Sequence, residues 1–418
     1  MSQLELRSRI PPRPTWGHGF SACVTAARMG MNLGKDRIDL FSWISTNVAA
    51  PLPTGKAIVE EVKIKSRDDL VLEFMTQEQA SVGVTAEWIQ DARLSNPPEK
   101  PADRVVLYIH GGAYFLASRK THRNLTWRAS KHSKARVLSV DYRLAPKHVY
   151  PLALHDVLSA YSYLINGSEA HSIGKDKKFL KYHRYHPSQI VIAGDSAGGG
   201  LAFSLLMYIR DHLDEFPMPA GIIGLAPWLD LTHSMPSFLD NGIYDYLPGR
   251  TNDKKYINSD RSFPYVANNS FLPYKYVSPL YAKESDGPPI CPVLIQVGSA
   301  ERLRDEGIYF AMQRFKNSDC RLEMYQDMIH IFQMFMPSKY ISGVALRRFG
   351  QFVQDVTGHE AFVVDERAVL VLNTPPYRVV PLPKALMFVE QGLRRRGQTV
   401  ADIEEKLNEV SYPTFECC

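Results

Sequence analysis

Gly194-Asp195-Ser196-Ala197-Gly198-Gly199 follows the apolar run Ile190-Val191-Ile192-Ala193 and precedes Leu201-Ala202-Phe203-Ser204-Leu205-Leu206. A strand-length apolar run, a glycine-flanked serine and an apolar helical stretch spell strand, sharp turn, helix. Such a turn lifts the serine hydroxyl above a sheet, and glycines beside it avoid a clash where the chain is tightest. A second strand-like run, Val105-Val106-Leu107-Tyr108-Ile109, leads into His110-Gly111-Gly112-Ala113-Tyr114. Backbone amides in that glycine run can face a developing oxyanion. The two stretches together point to acyl transfer at Ser196.

A serine hydroxyl is a weak nucleophile until a base takes its proton. Histidine is the natural base near neutral pH. Of the thirteen histidines, His330 fits best, in Gln326-Asp327-Met328-Ile329-His330-Ile331-Phe332, on a loop ahead of an apolar helix. An orienting acid should follow a strand and precede that histidine. The run 293–297 leads into Gly298-Ser299-Ala300-Glu301, with Asp305 one helical turn further. Either carboxylate can hold the imidazole in its productive tautomer, and Glu301 is preferred because it lies closer to the strand end. The expected oxyanion donors are the amides of Ala197, Gly112 and either Gly111 or Ala113. His110 is read as shaping that loop rather than as a base.

The chain has 418 residues, 45% of them hydrophobic, enough for one large α/β domain with insertions or for two domains. A formal charge of +5 gives little reason to expect nucleic-acid binding. No run of about 18 apolar residues suggests a membrane span. The polar start (Gln3, Glu5, Arg7, Arg9) shows no signal-peptide pattern, so an intracellular, cytoplasmic location is expected. Five cysteines, at 23, 291, 320, 417 and 418, have neither metal-ligand spacing nor a disulfide framework, which suits a reducing compartment. No metal or cofactor is called for. Arg394-Arg395-Arg396 reads as a solvated helix face, and Cys417-Cys418 as a frayed end.

Residues 1–55 stand apart, with Phe20, Val24, Ala27 and Met31 at helical spacing and a second helix expected over residues 40–48. Their apolar faces suit packing on the core, a cap over a greasy pocket, or contact with a lipid surface. Residues 59–64 and 70–75 read as a hairpin turning at Arg67-Asp68-Asp69. Short apolar runs at 105–109, 135–140, 190–193, 222–226 and 293–297, separated by helical stretches, argue for a mostly parallel sheet covered on both faces. Residues 230–285, rich in Asp, Asn, Pro, Tyr and Ser, break that rhythm and read as an inserted cap. The expected division is cap helices 1–55, a core 56–358 carrying the 230–285 insertion, and an extension 359–418. That extension holds the apolar stretch 368–372 and two helices, the second opening on a capping box at Thr399-Val400-Ala401-Asp402.

These residues resemble the hormone-sensitive-lipase-like family of α/β-hydrolases, whose serine sits in a GDSAGG turn. His110-Gly111-Gly112-Ala113-Tyr114 is similar to the family's H-G-G-[GA]-[YF], and Asp141-Tyr142-Arg143-Leu144-Ala145-Pro146, with Pro151 and Asp156, to its D-Y-R-L-A-P block. Pro227-Trp228-Leu229-Asp230-Leu231, Ser278-Pro279-Leu280, Pro292-Val293-Leu294-Ile295-Gln296-Val297-Gly298 and Met328-Ile329-His330-Ile331-Phe332 resemble its later landmarks. The resemblance spans residues 56–356. It implies an α/β-hydrolase fold with a helical cap, a triad of Ser196, Glu301 and His330, and an oxyanion hole at Gly111, Gly112 and Ala197. The family usually has Asp where this chain has Glu301, one methylene longer. Tyr114, Trp228 and Phe332 are candidate pocket residues.

The resemblance implies hydrolysis of short- to medium-chain or lipophilic esters, steryl and glyceryl esters among them. An amide or carbamate deacylase is the alternative within enzymes. A non-catalytic small-molecule receptor on the same fold is a third reading, opposed by the intact His330. The expected partner is a small-molecule ester, and lipid-droplet or membrane association rests on analogy alone. Acyl length and oligomeric state are not legible in the sequence.

Overall fold

The computed structural model describes residues 13–52, 55–94, 103–167, 170–172, 184–249, 254–335, 339–358, 366–373 and 376–409. The polar N-terminal residues before Arg13 and the Cys417-Cys418 end lie outside the described residues.

The strands are β1 (Ala57–Ile64), β2 (Val84–Asp91), β3 (Val105–Ile109), β4 (Arg136–Asp141), β5 (Ala170–Ser172), β6 (Ile190–Asp195), β7 (Gly221–Leu225), β8 (Val293–Gly298), β9 (Cys320–Tyr325), β10 (Ala368–Val371) and β11 (Val379–Pro381). Among the described residues they form one sheet, ordered β11-β10-β9-β8-β7-β6-β3-β4-β2-β1-β5. The run from β10 to β4 is parallel throughout, and antiparallel pairing is confined to the two ends. This is the mostly parallel sheet that the sequence implies.

Both faces are covered, and the period of two shows how. Val105, Leu107 and Ile109 of β3 pack into one core, with the helices Leu152–Asn166 and Ser196–Asp211. Val106 and Tyr108 pack into the other, against helices Arg123–Ser133 and Lys339–Val356 through Leu125, Trp127, Leu346, Phe349 and Val353. All five β3 residues are fully buried. A strand covered on both sides therefore reads as a continuous apolar run, not as an alternation.

The hairpin expected from 59–64 and 70–75 does not form. β1 pairs instead with β2, Ala57 opposite Asp91 and Ile64 opposite Val84. β2 lies between β1 and β4 and is buried almost throughout; residues 84–88 alternate apolar and polar, with Val84, Ala86 and Trp88 in the main core, so its signal was present in the sequence. Residues 70–75 are turns, with Phe74 at φ 67°, leading to a short helix capped by Thr76. β9, also unforeseen, runs directly into the His330 loop.

Helices α1 (His18–Gly34) and α2 (Ile38–Asn47) form the expected N-terminal pair. The described residues of the 230–285 insertion fold as turns and short helical segments, the longest being Ser237–Asp240. The C-terminal extension is continuous with the sheet. β10 pairs in parallel with β9, and the two final helices, Met387–Arg394 and Val400–Asn408, pack on the core through Val389, Leu393, Ile403 and Leu407. Thr399 and Asp402 form the capping box, a device that contributes about 1 kcal/mol. Arg395 and Arg396 are not merely solvated, since both pair with Asp240 of the insertion. Among the described residues no helix is long and apolar enough to cross a membrane.

Candidate active site

β6 ends at Asp195 and a helix begins at Ser196, so the serine sits at the carboxyl edge of the sheet, where open α/β sheets bind ligands. Ser196 has φ 53°, the left-handed region that an L-residue occupies only under constraint. The constraint is packing. A Cβ on Gly198 would collide with the carbonyl oxygens of Ile109 and His110, and one on Gly194 with that of Gly198. Only glycine lets the turn close this tightly against β3.

His330 follows β9 on a buried loop. Its Nε2 lies 2.8 Å from Ser196 Oγ, and its Nδ1 lies 3.1 Å from Glu301 Oε2. The other carboxylate oxygen of Glu301 accepts the Gly298 amide at 3.0 Å. Asp305, the competing acid, is engaged elsewhere: the Ser237 amide donates to it at 2.9 Å and Arg304 Nε at 2.8 Å. The extra methylene of Glu301 is accommodated because the loop bends back on Gly298, with Asn241 holding the Glu301 carbonyl at 2.7 Å.

Burial governs the electrostatics here. It draws His330 below the ordinary imidazole value to about 4, against the opposing pull of the Asp245 and Asp195 carboxylates. It pushes Glu301 up to about 8, against the Gly298 amide and the charge of Arg304. The resting imidazole is therefore neutral, the form that can accept a proton.

The loop after β3 faces Ser196. Gly111 was expected as an oxyanion donor, but its amide donates to Asp195 Oδ1 at 3.1 Å and is occupied. The amides of Gly112, Ala113 and Ala197 have no partner among the described residues. For Ala197 the cause is general, because the first amides of a helix have no intrahelical acceptor. Gly112 has φ 118°, and a Cβ there would strike the Leu116 carbonyl. His110 shapes the loop as expected: its ring stacks on Tyr142 and its Nδ1 lies 2.7 Å from the Gly111 carbonyl.

Asp195 is fully buried and accepts the Tyr108 hydroxyl at 2.7 Å, with His122 Nε2 at 3.3 Å. Burial favours its neutral form, yet His122 and Tyr108 hold its carboxyl below the ordinary value. His122 lies above its own ordinary value, since Asp195 overcomes the effect of burial. No motif in the sequence marks His122.

A cavity of about 690 Å³ opens above Ser196 and His330. Met31 and Phe41 of the N-terminal helices, Phe115, Trp228, Phe238 and Phe263 line it. Trp228 is the one pocket candidate from the sequence that reaches the cavity. Tyr114 turns inward and stacks on Tyr265 at 3.8 Å, and Phe332 packs against Tyr325 at 4.9 Å, so both belong to the core. Met31 of α1 and Phe41 of α2 show why these two helices carry apolar residues on the side that faces the cavity.

The chain belongs to the α/β-hydrolase family: a family model described as alpha/beta hydrolase fold matches residues 106–334. An acetyl-hydrolase of Streptomyces hygroscopicus is 28% identical over 275 residues, covering 66% of this chain and 81% of that protein. An esterase of Acinetobacter venetianus is 32% identical over 241 residues, 56% of this chain and 69% of that protein. Among solved structures, an esterase from the bacterial hormone-sensitive lipase family superposes with a TM-score of 0.57 at 26% identity, covering 85% of this chain and 96% of that one. Family and relatives together place the chain among the carboxylic-ester hydrolases, in the branch related to hormone-sensitive lipase.

Proposed function

We propose that the chain hydrolyses short- to medium-chain or lipophilic carboxylic esters through a Ser196–His330–Glu301 triad and an acyl-enzyme. The observation that carries this reading is the unbroken line from Ser196 Oγ through His330 to Glu301, at 2.8 and 3.1 Å. With the Nδ1 proton donated to Glu301, the Nε2 lone pair faces the serine hydroxyl.

Ser196 Oγ attacks the ester carbonyl while His330 Nε2 takes its proton. The carbonyl oxygen becomes an oxyanion that accepts hydrogen bonds from the amides of Ala197, Gly112 and Ala113. The imidazolium then protonates the leaving alcohol as the carbon–oxygen bond breaks. Water, deprotonated by His330, releases the acid in the same way. Each oxyanion donor contributes about 3 kcal/mol. Gly111 serves by fixing the loop rather than by donating.

The apolar cavity supports lipophilic substrates, and its volume lies within the range of roughly 300–1,000 Å³ usual for small-molecule sites. The test is initial rates on p-nitrophenyl esters from acetate to palmitate, with Ser196→Ala as control. We expect a maximum at short to medium chain length and a loss of about 10³-fold or more in Ser196→Ala. A folded wild-type protein inactive on every ester would overturn the reading.

A further inference from the structure

The insertion meets the reacting loops through one helical run. Ser237–Asp240 and Asn241–Ile243 are consecutive turns, so residues 237, 241 and 245 are spaced to share one side. All three grip the segments that carry Glu301 and His330. Ser237 donates its amide to Asp305 Oδ2 and its hydroxyl to the Arg302 carbonyl at 2.7 Å. Asn241 Nδ2 donates to the carbonyl of Glu301. Asp245 Oδ2 accepts the Arg302 amide at 2.8 Å, and Oδ1 accepts the amides of Tyr246, at 2.8 Å, and of His330 itself, at 3.3 Å.

Asp245 is fully buried, and among the described residues no side-chain cation forms a salt bridge with it. A buried carboxylate is costly unless its surroundings compensate it. Here three main-chain N–H groups do so, and two of them belong to the acid loop and to the histidine. We propose that Asp245 is a positioning residue for the reaction: it fixes the main chain of His330 and stabilises the imidazolium formed as Ser196 attacks. The inference rests on the triad reading above.

Several charged or titratable groups act around His330 and Asp245. They are Glu301 at Nδ1, Asp195 at the end of β6, Asp245 and Tyr246 in the insertion, Arg28 of α1, and Arg302 and Arg304 of the acid loop. On His330 itself burial opposes the charged ring, and Asp245 leads the groups that favour it. On Asp245 burial likewise opposes the charge, and His330 leads the groups that favour that. The two groups therefore support each other's ionised form, which is the state that arises in the transition state.

The experiment is the pH dependence of kcat and kcat/KM on p-nitrophenyl butyrate for the full chain. Asp245→Asn keeps one acceptor and removes the charge. It should lower kcat by roughly 10- to 100-fold, because a small displacement of a catalytic group has that effect. KM should stay within about twofold. The acid limb of kcat/KM should move to lower pH by about half a unit or more, since the carboxylate that favours the imidazolium is gone. Asp245→Glu should leave the limb in place. Asn241→Ala, an uncharged loss on the same helical side, should lower kcat without moving the limb. If Asp245→Asn does not fold, Asp245→Ser replaces it and must show the same shift. Wild-type kcat in the charge-removing variant, or a lowered kcat with an unmoved limb, overturns the proposal. Ser196→Ala and His330→Ala separate the two levels. If both are inactive while the Asp245 variant keeps the wild-type profile, the triad reading stands and this inference fails. If either retains activity, the triad reading itself fails.

Discussion

Asp195 accepts the Gly111 amide at 3.1 Å, so the residue just before Ser196 in the chain fixes the loop that faces it. The same carboxylate holds Tyr108 and His122. Removing the charge should therefore disturb stability as well as turnover, and in a pH-dependent way. Asp195 lies below its ordinary 3.8, so its contribution is present above that pH and is lost as pH falls through the lowered value. His122 lies above its ordinary 6.5, so its contribution is present below 6.5 and is lost as pH rises through the raised value. The melting-temperature difference between wild type and Asp195→Asn should be largest between those limits and should shrink as pH rises through the raised His122 value. A difference independent of pH would exclude an ionised pair.

Glu301 and Asp305 should separate cleanly by kinetics. Glu301→Gln should lower kcat by roughly 10³- to 10⁴-fold, the effect of losing the group that holds the imidazole in its productive tautomer. Glu301→Asp withdraws the carboxylate from His330 Nδ1 and should cost about 10- to 100-fold. Asp305→Asn disturbs the Ser237 and Arg304 contacts, so it should lower stability by about 1–3 kcal/mol while leaving kcat within a few fold. A larger kinetic loss at Asp305 than at Glu301 would reverse the assignment.

The pH profile of kcat/KM reports the free enzyme's essential base. His330 must be neutral to accept the serine proton, and burial holds its pKa towards 4. Activity should thus persist below pH 6.5 and fall only as pH drops further towards that value. An acid limb centred at or above 6.5 would show that the buried carboxylates outweigh burial.

Phe41 of α2 is partly buried, packs against the edge of the main core and lines the cavity. Phe41→Ala should raise KM for octanoate esters about fivefold, equivalent to roughly 1 kcal/mol of lost apolar contact, and leave acetate esters little changed. Equal effects on both substrates would mean that α2 acts on the fold and not on the acyl chain.

The elbow and the oxyanion loop were legible because their chemistry is local. Gly198 beside Ser196 is dictated by carbonyl groups at the end of the neighbouring strand β3, yet the requirement appears in the sequence as the glycine itself. That Glu301 rather than Asp305 would lie against His330 was also legible, from distance to a strand end. Gly111 was misjudged because its amide is taken by a side chain 84 residues away, which no motif shows. Tyr114 and Phe332 were misjudged because an aromatic next to the site can turn to either side of its loop. β2 was legible in the alternation of residues 84–88, and was passed over for the nearer apolar run 70–75, which folds as turn and loop. Asp245 and Asn241 escaped because they lie in an insertion without periodicity, and their partners come from two other loops.

The central claim is that Ser196 is the nucleophile activated by His330. Diethyl 4-nitrophenyl phosphate tests it most directly: the nucleophile attacks phosphorus, 4-nitrophenolate leaves, and a stable diethylphosphoryl ester remains on the protein. Intact mass and peptide mapping should find one adduct, on the peptide holding Ser196, formed in step with the loss of esterase activity and absent in Ser196→Ala. Complete inactivation with the adduct on another residue, or esterase activity retained by Ser196→Ala, would contradict the account.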